Sequence, residues 1–384
     1  MHIAIFTNNY LPNPYGVSTS IETFRADFER LGHQVFIFAP RWPGYTDENP
    51  NVFRYPSWDL EIKIKFPLAI PYSWKIDRIL DKLDLDIIHS QHPNLLGSAA
   101  KKWARKKKIP LVFTWHTLYD QYTNFVPFIP AGISAGFMIR KAVKFANHAD
   151  TVVVPTNSII PILRKWGVKK EMVPIVTGVV EKDFDRVDKS SIRNEYNVKD
   201  DEILLLLVSR LTAEKNILFI ANAVKKILKE NSKVKLLVAG GGYLSSEIIK
   251  IAENEGIADK IIITGELSHE KIADYFAAGD IFIYGSKSET QGMVITEAMY
   301  MGLPIVAVDA TGTSSLVKND ENGFLVSENE EEFSGAVEKL IKDKNLREQF
   351  GQASKKIAEE HFTSDVCAKK MLEVYEKAIM SLRA

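Results

Sequence analysis

DIFIYGSKSETQGMVITEAMYMGLPIVAVD, residues 280–309, reads as a strand, a loop, a helix and a second strand. IVAV at 305–308, like LLLLV at 204–208, is apolar at every position. Strands covered on both faces have that pattern, whereas half-exposed strands alternate. Between the two strands, Ile295, Ala298 and Met299 recur at helical spacing. A strand, helix and strand in succession make a right-handed βαβ unit of a parallel sheet.

The same alternation runs outward in both directions. The first half carries strands at HIAIFT (2–7), HQVFIFAP (33–40), DIIHSQ (86–91), LVFTWH (111–116), TVVVPT (151–156) and MVPIVT (172–177). Helices such as NLLGSAAKKWARKKK (94–108) and GFMIRKAVKFANHA (136–149) lie between them. After the loop VEKDFDRVDKSS (180–191) a second series begins, with strands at 203–209, 234–240, 260–265, 280–285 and 304–309. The expectation is an α/β chain of two doubly wound, Rossmann-like domains, 1–180 and 181–364. A last helix, about 365–384, packs back on the first domain. Two such domains face each other across a cleft, with ligands beyond the carboxyl ends of the strands.

Composition fits this. The 384 residues are 46% hydrophobic and 26% charged, which excludes a disordered or fibrous chain. The single cysteine, Cys367, excludes a disulfide scaffold and a cysteine metal site. MHIAIFTNNY lacks the basic and small-residue features of a signal peptide, and no apolar run reaches membrane-spanning length, so a cytoplasmic enzyme is expected. The formal net charge of zero divides unevenly. Residues 1–180 hold 22 Lys+Arg against 14 Asp+Glu, and the remainder 27 against 35. Such asymmetry points to an anionic partner for the first half.

The candidate chemistry lies in loops after strands. Neither TNNYLPNPYGVSTS (7–20) nor Gly240-Gly241-Gly242 has the Gly-x-Gly-x-x-Gly spacing of dinucleotide binding. Gly16, before a helix starting near Ser18–Ser20, is either a turn glycine or a point where backbone amides approach a phosphate. In SRLTAEKN, Arg210 and Lys215 are either surface charges or a diphosphate clamp, Arg as a fork and Lys as a point charge. Glu289 and Glu297 stand eight apart around Gly292. Backbone N–H groups of Gln291, Gly292, Met293 and Val294 would face a ligand at the helix start. Ionised carboxylates suit sugar hydroxyls because they accept hydrogen bonds strongly.

SETQGMVITEAMYMGLPIVA resembles the donor signature of family four of the retaining glycosyltransferases, whose two domains form the GT-B fold, and SRLTAEKN matches that family's Arg/Lys loop. The likeness covers nearly the whole chain. It implies that Arg210 and Lys215 hold the donor diphosphate and that Glu297 bonds the ribose hydroxyls. It also implies that Glu289 and the backbone of Gln291–Val294 hold the sugar, and that Gly16 faces the phosphates. TWHTLYDQY (114–122) is similar to a motif of members that glycosylate lipids or other small acceptors, and the chain as a whole resembles the diacylglycerol glucosyltransferase-like members. That likeness sets His116 over the transferred sugar, with Tyr119 and Asp120 near the acceptor. His89 and His92 read as loop residues lining the acceptor cleft, and His33 as a local cap. Gly312-Thr313-Ser314-Ser315 stands where the family often has a Pro-Glu loop.

The implied catalysis is electrostatic, with Arg210, Lys215 and the helix start stabilising the leaving nucleotide and no carboxylate assigned as a covalent nucleophile. No Asp-x-Asp follows a strand, so neither a metal nor another cofactor is expected. The partners expected are a nucleotide-sugar donor, by resemblance UDP-glucose, and a lipid or sugar acceptor; nucleic acid is not expected. Lys101, Lys102, Arg105, Lys106, Lys107 and Lys108 surround Trp103, and Phe125–Ile133 is apolar. An anionic membrane adds about 1 kcal/mol per nearby cation, so a peripheral enzyme on the inner membrane face is the working expectation. The alternatives are a soluble sugar or sugar phosphate as acceptor, a nucleotide-sugar-binding protein, and an epimerase.

Overall fold

The computed structural model describes residues 1–13, 16–62, 64–119, 131–268 and 271–383. The chain divides into two compact units, Met1–Thr177 with Ser364–Ala384, and Gly178–Thr363.

The first unit contains β1 (His2–Phe6), α1 (Gly16–Arg30), β2 (Gln34–Pro40), β3 (Val52–Tyr55), β4 (Ser57–Ile62), β5 (Ile64–Ala69) and α2 (Trp74–Lys82). There follow β6 (Ile87–Ser90), α3 (Leu96–Lys107), β7 (Leu111–Thr114), α4 (Ala131–Ala146), β8 (Thr151–Val154), α5 (Ile160–Trp166) and β9 (Met172–Pro174). Its parallel sheet runs β3-β2-β1-β6-β7-β8-β9, while β4 and β5 pair antiparallel. The order reverses between β1 and β6.

The second unit contains α6 (Lys189–Glu195), β10 (Ile203–Val208), α7 (Ile217–Glu230), β11 (Val234–Ala239), α8 (Ser245–Glu255), β12 (Ile261–Ile263) and α9 (Ile272–Ala278). It continues through β13 (Ile281–Tyr284), α10 (Met293–Tyr300), β14 (Ile305–Val308), β15 (Gly323–Val326), α11 (Glu330–Lys342) and α12 (Lys344–His361). Its sheet is also parallel, in the order β12-β11-β10-β13-β14-β15, and reverses between β10 and β13. Leu204 to Leu207 are at most 1% exposed, as their unbroken apolar run requires. Each buried leucine contributes about 1.5–3 kcal/mol. Arg193 of α6, 4% exposed, donates to the carbonyls of Ala278, Lys199 and Glu202 and to the Asp280 carboxylate at 2.7–3.1 Å.

The last helix, α13 (Ser364–Arg383), belongs to the first unit. Arg30 pairs with Asp365 at 2.6 Å, and the Tyr375 hydroxyl meets His89 Nδ1 at 2.6 Å.

The two doubly wound sheets agree with the sequence reading, but four strands were not legible. β3 is short and half-exposed, so its alternation is weak. β5 includes Pro67, which an antiparallel pair outside the main sheet tolerates. β15 opens with Gly323, where a Cβ would stand 2.2 Å from the Ile305 carbonyl oxygen. The sequence signal that reads as a break is a close strand approach. Helix α1 starts at Gly16, slightly earlier than Ser18–Ser20.

Candidate functional site

In each unit the strand order reverses at one place, and loops leaving the two central strands diverge there to make room for a ligand. In the second unit these are the loops after β10 and β13. The first carries Arg210 and a short 3-10 turn, Ala213–Lys215, before α7. Its path is set by the glycine triplet that lacked a dinucleotide fingerprint. A Cβ on Gly240 would lie 2.0 Å from the Ser209 carbonyl oxygen, and one on Gly242 would lie 2.4 Å from that of Leu211. Only glycine lets the β11 loop close on the Arg210 loop, where Leu211 N–H donates to Gly241 O at 2.8 Å.

The loop after β13 brings Glu289 to Lys215. Lys215 Nζ pairs with Glu289 Oε1, and the two side chains are 16% and 17% exposed. The same oxygen accepts from the Tyr284 hydroxyl at 2.7 Å and from Ser286 Oγ at 3.1 Å. Burial raises the Glu289 carboxyl, but Lys215 and these hydrogen bonds outweigh it and hold the group below the usual carboxylate range. Burial and the Glu289 charge push the Tyr284 phenol well up, so it stays a neutral donor. Gly312, at φ +89°, passes so close that a Cβ there would stand 2.6 Å from the Glu289 carbonyl oxygen.

Glu289 thus lies in the loop after β13 with its carboxylate enclosed and already paired. Arg210 does not join it. Its side chain is 66% exposed and lies 3.5 Å from Glu214, a loose surface pair. The structure unites Lys215 and Glu289, and adds Tyr284 and Ser286, which the sequence reading did not single out. A tyrosine closing a buried strand carries no signal of its own.

Gly292 caps α10 in the left-handed region, at φ +77°, a conformation that only glycine adopts without strain. Gln291 before it is 8% exposed, and Met293 and Val294 form the first turn, whose N–H groups have no partner inside the helix. Glu297 follows one turn later. Burial, with the Asp183 charge added, pushes its carboxyl up to about 7.

In the first unit the diverging loops follow β1 and β6. Asn8 ties them: its N–H donates to His92 Nδ1 at 3.1 Å, and its side chain bonds Asn94 O and Leu96 N–H at 3.0 Å. His116, two residues past β7, meets Gln91 Oε1 through Nε2 at 2.6 Å. Burial, and then the rings of His92 and His89, push His116 down to about 3, so the ring is neutral. Gln91 thus orients His116, a role the sequence did not reveal.

His89 is corrected from a loop residue to a strand residue. It lies in β6, 3% exposed, with both ring nitrogens engaged by Tyr375 and Thr114. His92 does sit in the loop, and burial lowers it to about 4. His33 Nδ1 meets the Met1 amine at 2.9 Å. Tyr119 packs edge-on against Trp115, ring centroids 5.9 Å apart. Asp120 and residues 125–130 lie outside the described residues. A Cβ on Gly16 would meet nothing within 4 Å, so no protein neighbour demands glycine there.

The basic run is less free than its composition suggests. Lys102 and Lys106 pair with Asp77 and Asp81 of α2, and Lys107 Nζ donates to Leu83 O. Among the described residues no group of three His, Cys, Asp or Glu side chains is placed to hold a metal ion, and no helix is long and apolar enough to cross a membrane.

Comparison with known proteins fits this arrangement. Residues 14–182 match the family profile "Glycosyltransferase Family 4", and residues 188–357 match "Glycosyl transferases group 1". The alpha-monoglucosyldiacylglycerol synthase of Streptococcus pneumoniae is 32% identical, covering 99% of this chain and 87% of its own. The enzyme of the same name from Acholeplasma laidlawii is 27% identical, covering 98% and 96%. Among solved structures, Anabaena HepE in complex with UDP superposes with a TM-score of 0.78 at 17% identity, covering 98% of this chain and all of that one. That last likeness bears on the fold alone, and the fold is GT-B.

Proposed function

Because the chain belongs to glycosyltransferase family 4, and is therefore a glycosyltransferase, we propose that it moves glucose from UDP-glucose to a lipid hydroxyl, with retention at the anomeric carbon. The observation that carries the donor half is the Lys215–Glu289 pair, set where β10 and β13 diverge. In this reading Lys215, Arg210 and the first turn of α10 bind the diphosphate. Glu289 and the backbone of Gln291–Val294 hold the sugar, and Glu297 takes the ribose hydroxyls. The C1–O bond to the nucleotide breaks, the acceptor oxygen bonds C1, and its proton leaves with the diphosphate. Cations and helix N–H groups favour this step by stabilising charge on the leaving group. Gly16 at the start of α1 fits close backbone approach to a phosphate. His116, Tyr119 and Asp120 are assigned to the sugar and acceptor side. No metal or other cofactor takes part.

The lipid acceptor is supported by the names of the two synthase relatives and by the surface of the first unit. Trp58, Tyr72 and Trp74 are 64%, 72% and 72% exposed. The Arg78 guanidinium lies over the Trp74 ring at 4.7 Å. The Lys102–Asp77 pair fastens the basic helix α3 beside α2. Exposed aromatics next to cations suit a headgroup interface, which supports the reading of a peripheral enzyme on the cytoplasmic membrane face.

The test incubates the purified chain with a panel of nucleotide sugars and a mixed pool of diacylglycerol, sugars and sugar phosphates. Products are read by mass spectrometry and the anomeric configuration by NMR. A hexosyl-diacylglycerol with α linkage is expected from UDP-glucose. Exclusive labelling of a soluble acceptor would overturn the lipid reading, and turnover of donor without acceptor would favour an epimerase. Vesicles containing anionic lipid are expected to sediment the protein at low salt; no binding there would remove the membrane assignment.

A further inference from the structure

We propose that Tyr284 and Ser286 are positioning residues that keep hold of the Glu289 carboxylate while Lys215 passes from it to the donor diphosphate. The inference rests on the donor reading above and extends it to two residues with no assigned role.

Lys215, Tyr284 and Ser286 all converge on one atom, Glu289 Oε1. Oε2 makes no hydrogen bond among the described residues, which leaves it to accept from a sugar hydroxyl. In the structure Lys215 is committed to Glu289. A diphosphate competes for that ammonium, and a carboxylate this enclosed is costly to leave without its cation. Neutral hydroxyl donors solve the conflict: they stabilise the carboxylate but add no positive charge that the phosphate could draw away.

Tyr284 is the firmer of the two. Its ring is 2% exposed and stacks on Phe282 at 5.9 Å, so its hydroxyl is held in place. Ser286 divides its hydroxyl between Glu289 and the Glu214 carbonyl, 3.3 Å away. Arg210 acts on Tyr284 from the β10 loop, and Lys287 is occupied by Glu328 at 2.8 Å.

Tyr284→Phe keeps the ring packing and removes only the donor. UDP binding is followed by calorimetry between pH 6 and 8 in two buffers of different ionisation enthalpy, with melting of the free proteins as the check on folding. Compared with the unmodified chain, Tyr284→Phe is expected to bind UDP about tenfold more weakly and to take up additional protons near pH 6, because Glu289 protonates when Lys215 leaves. Ser286→Ala should show the same signs with smaller size, and it reads the exchange independently if Tyr284→Phe misfolds. UDP affinity and proton uptake equal to those of the unmodified chain in both variants would overturn the proposal. An unmodified chain that binds neither UDP nor another nucleoside diphosphate would instead overturn the donor reading, and this inference with it.

Discussion

Glu297→Gln isolates one carboxyl whose burial works against the fold. An ordinary glutamate titrates at 4.5 and Glu297 at about 7. At roughly 1.4 kcal/mol per unit, the ionised form costs the folded chain on the order of 3 kcal/mol, an upper bound for a half-buried group. The sign follows from the raised folded value. Below pH 4.5 both folded and unfolded chains are protonated and there is no penalty. Between 4.5 and 7 stability falls as pH rises, and above 7 the whole penalty applies. Glutamine has the same shape and no ionisation, so the variant should melt higher at pH 8 and nearly equally at pH 5. For a unit of this size each kcal/mol moves the melting temperature by roughly 2–4 °C, which puts the gain at pH 8 at several degrees. Calorimetric melting of the free protein at both pH values makes the measurement. A second arm asks why so costly a group is there. If Glu297 accepts from the ribose diol, UDP binding should release a proton near pH 7 in the unmodified chain and none in the variant, which binds more weakly. A melting shift of the same size at pH 5 and pH 8 would refute the reasoning, because a packing effect does not titrate.

Gly312→Ala forces a Cβ to within 2.6 Å of the Glu289 carbonyl oxygen at a positive φ. It should lower stability by about 1–3 kcal/mol and reduce sugar transfer more than UDP binding; equal kinetics would show that Glu289 tolerates the shift. Arg193→Ala removes the buried donor shared by the carbonyls of Ala278, Lys199 and Glu202 and by the Asp280 carboxylate. A loss of about 3–5 kcal/mol is expected in urea unfolding, with UDP affinity unchanged in the fraction that stays folded.

The sheets were legible because buried parallel strands leave a one-dimensional trace. LLLLV and IVAV need no partner to be recognised. β3 and the β4–β5 pair leave none, since VFRY, SWDLEI and IKFPLA contain no unbroken apolar run, and Gly323 reads as a break although it is a contact. Helix α13 was legible as a helix, but what holds it in place is not local. Arg30 and Asp365 are 335 residues apart, and His89 and Tyr375 are 286 apart.

The site divides in the same way. Glu289 and Lys215 stood out through their surrounding strings, but neither string shows that the two meet. Tyr284, Ser286 and Gln91 matter only through what the fold sets beside them. That meeting also changes how the charge asymmetry works. With α13 counted in the first unit, the second holds 23 basic and 32 acidic residues, a net of −9. Lys215 is neutralised by Glu289, so little standing positive charge is left at that point of the second unit. On the proposed donor reading, the exposed Arg210, loosely held by Glu214, is then the group that meets an incoming diphosphate first. Exposed charges govern encounter rates and enclosed ones govern release. In stopped-flow binding of UDP, Arg210→Ala should slow association and flatten its salt dependence, whereas Lys215→Ala should mainly speed dissociation and cost on the order of 10²–10³ in transfer rate. Identical effects of the two substitutions on association would mean that Lys215 is already free when the nucleotide arrives, and the partner exchange at Glu289 would have no work to do.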